Sequence, residues 1–379
     1  MIPFRPSSQR QADVDWYAFL ARPRLPSPSS ARLEQLRKSS TLVTGAGGSI
    51  GSVLSLRLAA LGPRSLVLLD ASEQALYRLQ SALANLPLGH AMDRAPHMVL
   101  GSVADPSLVD EICAMHRLDL IFHAAAYKHV ALLEEQPLAA IANNAIGTRS
   151  LMECAHRHGV ARTVLLSTDK AVAPSSILGA SKRIAERITL AHRGIVVRLG
   201  NVLGTEGSVV EIFLQQIRDG GPVTVSDPAA ERFFLTCEEA VDLLLASAVA
   251  AEPGSLLVPN LDRAHSILDL ARFLIRMISP AKALPMKFIG LRPGDKLHEA
   301  LWSPAEIPMA SEADGFLKLE HGPIEDPQFH PMLALLDKAA EERDLINAML
   351  LVRQLVPDYT PSPSMAARLE QMNAGILQL

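Results

Sequence analysis

The stretch TLVTGAGGSIG, Thr41 to Gly51, decides the fold. A short β-branched run leads straight into three glycines at a three-residue spacing, and helical spacing follows in SIGSVLSLRLAALG. Gly45 permits a tight turn, Gly48 lets backbone N–H groups approach a pyrophosphate, and Gly51 lets helix and strand pack closely. Ser49 and Ile50, which open the helix, join the same candidate set. Glycine triplets alone are common; this one stands between a strand and a helix, and a second apolar run, SLVLLD, ends in Asp70. That context reads as a dinucleotide loop.

Outward from this loop the rhythm repeats. HMVLG, LDLIFHAAA, RTVLLST and GIVVRLG are short apolar runs, mostly separated by helical segments. Such alternation predicts an α/β fold, a doubly wound parallel sheet covered on both faces. The expected organisation is an N-terminal arm over 1–38, a Rossmann-like domain over 39–200, and a smaller C-terminal lid with terminal helices over 201–379. The arm is expected to dock on the body or on a partner. One strand of the lid is expected to return to the main sheet, and LRPGDKLHEALW to turn from a strand into a helix at Pro-Gly.

Asp70 at the end of the second strand can hold both ribose hydroxyls of an adenosine and repel a 2′-phosphate. This favours NAD over NADP, with Arg64 and Arg78 the only opening for the latter. Asp70 could alternatively cap the helix of SEQALY. Ala124, Ala125 and Ala126 are small enough for a cofactor to lie over the fourth strand end.

Composition narrows the class. The chain has 379 residues, half of them apolar, and a net charge of −4, so nothing suggests a nucleic-acid partner. Cys113, Cys154 and Cys237 are dispersed, the pattern of a reducing compartment. The histidines show no metal-site spacing, so no metal is expected. No signal peptide or run of about 18 apolar residues is present, and the reading is a soluble, cytoplasmic protein without a membrane span.

The chemistry sits in LSTDKAVAPSSILGASK, Leu166 to Lys182. Thr168, Asp169 and Lys170 place a hydroxyl, an acid and a base at a strand end, where α/β sheets bind ligands. Lys182 follows Leu178 by four residues. In many nicotinamide-dependent enzymes a Tyr holds the position of Leu178.

TGAGGSIG, HAAAYKHV, NNAIGT, STDKAV, GASKR, RLGNVLG, GGPVTV, RFFLT and LRPGDKLHE occur in that order. Together they resemble the UDP-N-acetylglucosamine 4,6-dehydratases of polysaccharide biosynthesis, in the extended short-chain dehydrogenase/reductase superfamily. The resemblance covers nearly the whole chain and corresponds to the catalytic half of the long membrane-bound members. It implies oxidation at sugar C4 by NAD, loss of water across C5 and C6, and hydride return to C6. It further implies Lys170 as C5 base, with a lowered ammonium pKa, Asp169 as acid at O6, and Thr168 on the C4 hydroxyl. Lys182 would hold the nicotinamide ribose, and Ser102 and Val103 would lie beside the adenine, Ser102 where the family often has Asp. Lys128, His129, Asn201, Ser208, Val209, Arg232 and Arg292 become candidates for the UDP-sugar substrate. In the long members Met commonly replaces the Tyr, and Leu178 extends that theme, so Asp169 is expected to accept the C4 hydroxyl proton. A homo-oligomer is expected from resemblance alone. The alternatives are a catalytically impaired NAD- or nucleotide-sugar-binding protein and a nucleotide-sugar epimerase or reductase of the same fold.

Overall fold

The computed structural model describes residues 14–86, 95–281, 283–322 and 327–376. The six apolar runs form strands β1 (Ser40–Thr44), β2 (Ser65–Asp70), β3 (His97–Leu100), β4 (Leu120–His123), β5 (Arg162–Thr168) and β6 (Ile195–Leu199). They lie in the order 3-2-1-4-5-6, all parallel. Strand order reverses between β1 and β4, and a crevice opens there at the carboxyl ends of the strands.

Alternation along β1 shows how both faces are covered. Leu42 packs with Val67, Ile121 and residues of the helices Pro106–His116 and Gly147–Arg157. Val43 packs with Leu66, Leu68 and Phe122 beneath the helices Ser49–Leu61 and Cys237–Ala250. Apolar residues at successive positions therefore serve opposite layers, as a sheet buried on two sides requires.

The second half of the chain returns to the sheet with three strands rather than one. Leu256–Pro259 adds parallel to β6, and Phe316–Glu320 and Ile307–Ala310 extend the edge antiparallel. The expected helix after Pro293-Gly294 does not form. That segment instead runs as turns whose carbonyls and side chains are held by Arg232, Ser175 and Val172.

The described part of the arm docks on the body. Leu20 is fully buried against the helices Val209–Arg218 and Ile267–Ile278. Arg22 donates to both carboxylate oxygens of Glu239 at 2.6 and 2.9 Å, and Arg24 and Ser27 donate to Asp242. At the other end, the helices Phe329–Glu341 and Leu345–Leu355 bury their apolar stripes against Ile177–Ala191, the helix that carries Lys182.

Beneath β5 and β6 lies a charge cluster that nothing in the sequence pattern announces. Arg198 is fully buried and donates to Glu186, Glu306 and the Leu301 carbonyl at 2.8–3.1 Å. Arg183 bridges the same two carboxylates, and Ser167 donates to Glu186 at 2.6 Å. Two guanidinium groups face two carboxylates, so the charges cancel and the polar atoms are paired, the condition under which ions survive burial. Among the described residues no helix is long and apolar enough to cross a membrane.

Candidate active site

The crevice is a cleft of about 880 Å³ between the strand ends and the segments after β6. The dinucleotide loop forms one end. Gly45 has φ +65°, and a Cβ there would stand 2.7 Å from the Ala125 backbone. Gly51 is tighter still, since its Cβ would meet the Gly45 carbonyl oxygen at 2.0 Å. The helix Ser49–Leu61 begins at Gly48 with no side-chain cap, leaving its first N–H groups open to an anion. Gly45, Gly48, Ser49, Ile50, Gly51, Ala124 and Ala126 all line the cleft.

Four candidates of the cofactor set lie off the wall. Ala125 sits under Gly45. Asp70 accepts from the N–H groups of Gly47 and Ser72 at 2.9 and 2.8 Å, so its carboxylate shapes the glycine loop. Ser72 caps the next helix, through its own hydroxyl. Ser102 accepts from the Ala104 N–H within a turn, and Val103 is buried against Gly147. Arg64 pairs with Asp119 at the opposite end of the sheet, and Arg78 with Glu206.

The chemical end is built on β5 and the helix Ile177–Ala191. β5 ends in a single 3₁₀ turn, Asp169–Ala171, whose N-cap is Thr168. The turn puts Thr168 and Lys170 on the cleft wall and swings Asp169 behind it, fully buried. Thr168 Oγ1 donates to Asp169 Oδ1 at 3.0 Å, and Lys170 Nζ donates to the same oxygen at 2.9 Å and to Asn201 Oδ1 at 3.1 Å. Asp169 Oδ2 is buried and has no hydrogen-bond partner among the described residues. Asp169 therefore reaches the cleft through its neighbours rather than directly, because the turn reverses its side chain.

Lys170 departs from expectation in charge. Burial works to lower its pKa, but Asp169 and then Glu299, 3.7 Å away, outweigh it and hold the ammonium above its ordinary value. Lys182 behaves oppositely: burial pushes it down to about 8, with Glu186 only partly opposing. Its Nζ donates to the Leu166 carbonyl at 2.7 Å. Gly179, one turn earlier, packs so closely that a Cβ would meet the Lys170 carbonyl oxygen at 2.2 Å. Leu178 lines the cleft as an apolar surface.

Behind β1 and β4, His123 bridges Thr44 Oγ1 and Thr148 Oγ1 at 2.7 and 2.9 Å. Burial, with Lys182 nearby, lowers its pKa to about 3, so it stands neutral. Asn144, in a π-helical stretch Ile141–Ile146, holds both backbone groups of Tyr127 at the wall. A π-bulge re-aims side chains and recurs near functional sites.

The far end holds Lys128, His129, Ser208, Val209, Arg232 and Arg292. The loop Leu203–Ser208 crosses here: Glu206 donates its N–H to Ser49 Oγ at 3.0 Å and accepts from Lys128 Nζ at 2.8 Å through its carbonyl. Ser208 Oγ is buried without a partner among the described residues and lines the cleft. Arg292 is exposed and pairs only at the edge with Asp295. Arg232 is engaged otherwise. Its guanidinium donates to the carbonyls of Glu231, Lys296 and Leu297 at 2.7–3.1 Å, tying two segments together. Those bonds occupy the fork that a phosphate would need. Tyr127 and Glu299 escaped the sequence reading, although both lie inside the motifs HAAAYKHV and LRPGDKLHE.

Gly45→Ala is expected to abolish dinucleotide binding, since the new methyl meets backbone and the residue must hold positive φ. Isothermal titration with NAD reads this directly, and unchanged affinity would remove the loop from the site.

A Rossmann-like extended dehydrogenase/reductase fold with a ligand cleft at its switch point is the class these features define. A family described as polysaccharide biosynthesis protein matches residues 41–320, and this chain belongs to it. The capsular polysaccharide biosynthesis protein CapD of Staphylococcus aureus is 38% identical over 281 residues, covering 72% of this chain and 46% of CapD. The chain thus spans about half the length of CapD and of the probable polysaccharide biosynthesis protein EpsC of Bacillus subtilis. Among solved structures, Pen from Bacillus thuringiensis superposes with a TM-score of 0.68 at 25% identity, covering 76% of this chain and 89% of Pen. DesIV of Streptomyces venezuelae, a dTDP-glucose 4,6-dehydratase solved with NAD, shares the fold with a TM-score of 0.59 at 21% identity, over 69% and 87% of the two chains.

Proposed function

We propose that this protein is an NAD-dependent nucleotide-sugar 4,6-dehydratase acting on UDP-N-acetylglucosamine or a close UDP-HexNAc. The observation that carries this reading is Thr168 and Lys170 side by side on the wall, backed by Asp169 and flanked by Lys182 and Asn201. A simple epimerase needs a proton acceptor at position 178 and has no use for a buried acid behind a lysine.

The residues present fit NAD. A Cβ would fill the cradle at Gly45, the helix after Gly48 presents open N–H groups, and Ala124 and Ala126 leave room above β4. NAD bound there supplies a hydride acceptor for C4 and a hydride donor for C6. Lys182 orients the ribose, and Lys128, Ser208 and Arg292 hold the nucleotide diphosphate.

The chain itself handles the protons. Thr168 Oγ1 takes the O4 proton as its own passes to Asp169 Oδ1, the oxygen it already bonds. Lys170 gives one ammonium proton to solvent, which positive charge on the bound cofactor favours, and then removes the C5 proton. Asp169 returns its proton through Thr168 toward O6, the hydroxyl leaves as water, and Lys170 hands a proton back to C5 as C6 receives hydride. The proton collected at O4 is the one delivered at O6, so no Tyr is required at 178.

Incubation with UDP-N-acetylglucosamine and NAD should yield a nucleotide sugar lighter by one water in mass spectrometry. No change with any UDP-HexNAc, in protein shown to carry NAD, would sink the proposal. Asp169→Asn should slow the reduction of NAD by substrate about a hundredfold or more. A normal rate in that variant would remove Asp169 from the relay.

A further inference from the structure

Away from the cleft, two neighbouring helices bring together a set of donors that none of the chemistry above uses. Asp110 and Cys113 lie three residues apart on Pro106–His116, and Cys154 and His158 four apart on and just after Gly147–Arg157. Both spacings put the pair on one helix face. His158 Nε2 lies 3.0 Å from Asp110 Oδ1, and Cys154 Sγ lies 3.7 Å from the same oxygen. The three ligand atoms all fall within 4.8 Å of one another. Cys113 and Cys154 are both buried.

We infer that Asp110, Cys154 and His158 form a three-ligand binding site, with water in the fourth position, for one borderline-soft divalent cation of the zinc class. Zinc bonds of about 2.0–2.3 Å to nitrogen, oxygen and sulfur imply tetrahedral edges of roughly 3.2–3.8 Å. The observed O···N and O···S separations come close to that range without movement of either helix. One sulfur, one imidazole and one carboxylate are a donor set that favours zinc over calcium or magnesium.

The balance of binding is simple. The Cys154 thiol loses its proton to solvent as the metal–sulfur bond forms, and the ion sheds all but one of its waters. Arg157, which donates to Asp110 Oδ1 at 2.8 Å from a largely exposed side chain, gives up that contact. None of the three ligands lines the cleft. Their helices nevertheless hold the turn at Ser102 and Val103, since Asp105 caps the first and Gly147, against Val103, opens the second. The ion would fasten that turn from behind and take no part in proton transfer.

Cobalt(II) added alone to the full-length, reduced protein is the probe. One equivalent should produce a thiolate-to-cobalt charge-transfer band and visible bands of tetrahedral intensity, and zinc should displace both. Cys154→Ser should abolish the charge-transfer band. His158→Gln, an exposed change that leaves the core intact, should weaken cobalt binding at least tenfold. Cys237→Ser should change nothing. One equivalent of zinc should also raise the melting temperature of the parent protein and not of His158→Gln. Absence of the band at one equivalent, its loss in Cys237→Ser, or unchanged affinity in His158→Gln would overturn the site.

Discussion

Lys170→Arg is expected to eliminate water loss from UDP-N-acetylglucosamine, by about a hundred- to ten-thousandfold in kcat, while UDP-sugar binding persists. The substitution keeps a positive charge beside Asp169 and Glu299, so neither buried carboxylate is left without a counter-ion. A guanidinium, however, does not give up its proton near neutral pH and cannot collect one from C5. The readout that isolates this step is solvent deuterium at C5. In heavy water the parent protein should place deuterium there in its product, and the variant should place none in the unreacted sugar. Dehydration at a normal rate by Lys170→Arg would assign the C5 proton to another group. Lys170→Met is a poorer test, because it also strips Asp169 of its nearest cation.

Arg198→Met is expected to destabilise the fold by about 3–5 kcal/mol, a large share of the stability of a typical domain. The cost comes from what remains: Glu186 is fully buried and Glu306 nearly so, with only the partly exposed Arg183 left between them. Urea denaturation should show the lowered midpoint, and Arg183→Met should cost less. Pairing Arg198→Met with Glu186→Leu should recover part of the loss, since one uncompensated charge is removed with the other. The same cluster sets an acid limit. Burial would raise Glu186, but Arg198 and its neighbours prevail and hold it below its ordinary value near 4.5. Its stabilising contribution is complete above that value and is lost as pH falls through the lower folded one. In Arg198→Met the dependence should shift upward in pH. An unfolding free energy within about 0.5 kcal/mol of the parent would show that the cluster is dispensable.

The sheet was legible because parallel strands buried on both faces are written as unbroken apolar runs, from TLVT to IVVRL, with glycines marking where the chain approaches a ligand. The cleft was legible for the same reason, since strand ends and their following residues are adjacent in sequence. Legibility stopped where direction depends on one turn. Nothing in Ser-Thr-Asp-Lys says that a 3₁₀ turn will hide Asp169 and expose its neighbours. It stopped again where partners come from distant segments. Arg198 meets Glu306, Lys170 meets Glu299, and Asp110 meets His158 only after distant segments have come together. Arg232 matched a phosphate-binding residue type, yet backbone carbonyls claimed its fork first.

Gly179 sets a distance. With no side chain of its own, it lets the helix bearing Lys182 rest directly on the carbonyl of Lys170. The turn of Lys170 and the helix of Lys182 are thereby held in direct contact, so one backbone approach fixes how the two lysines are spaced. Across the cleft, Glu206 rests on Ser49 and Lys128 through two hydrogen bonds and on Arg78 through an ion pair. In mechanical language, residue 179 is the gauge to which one jaw of the vice was machined.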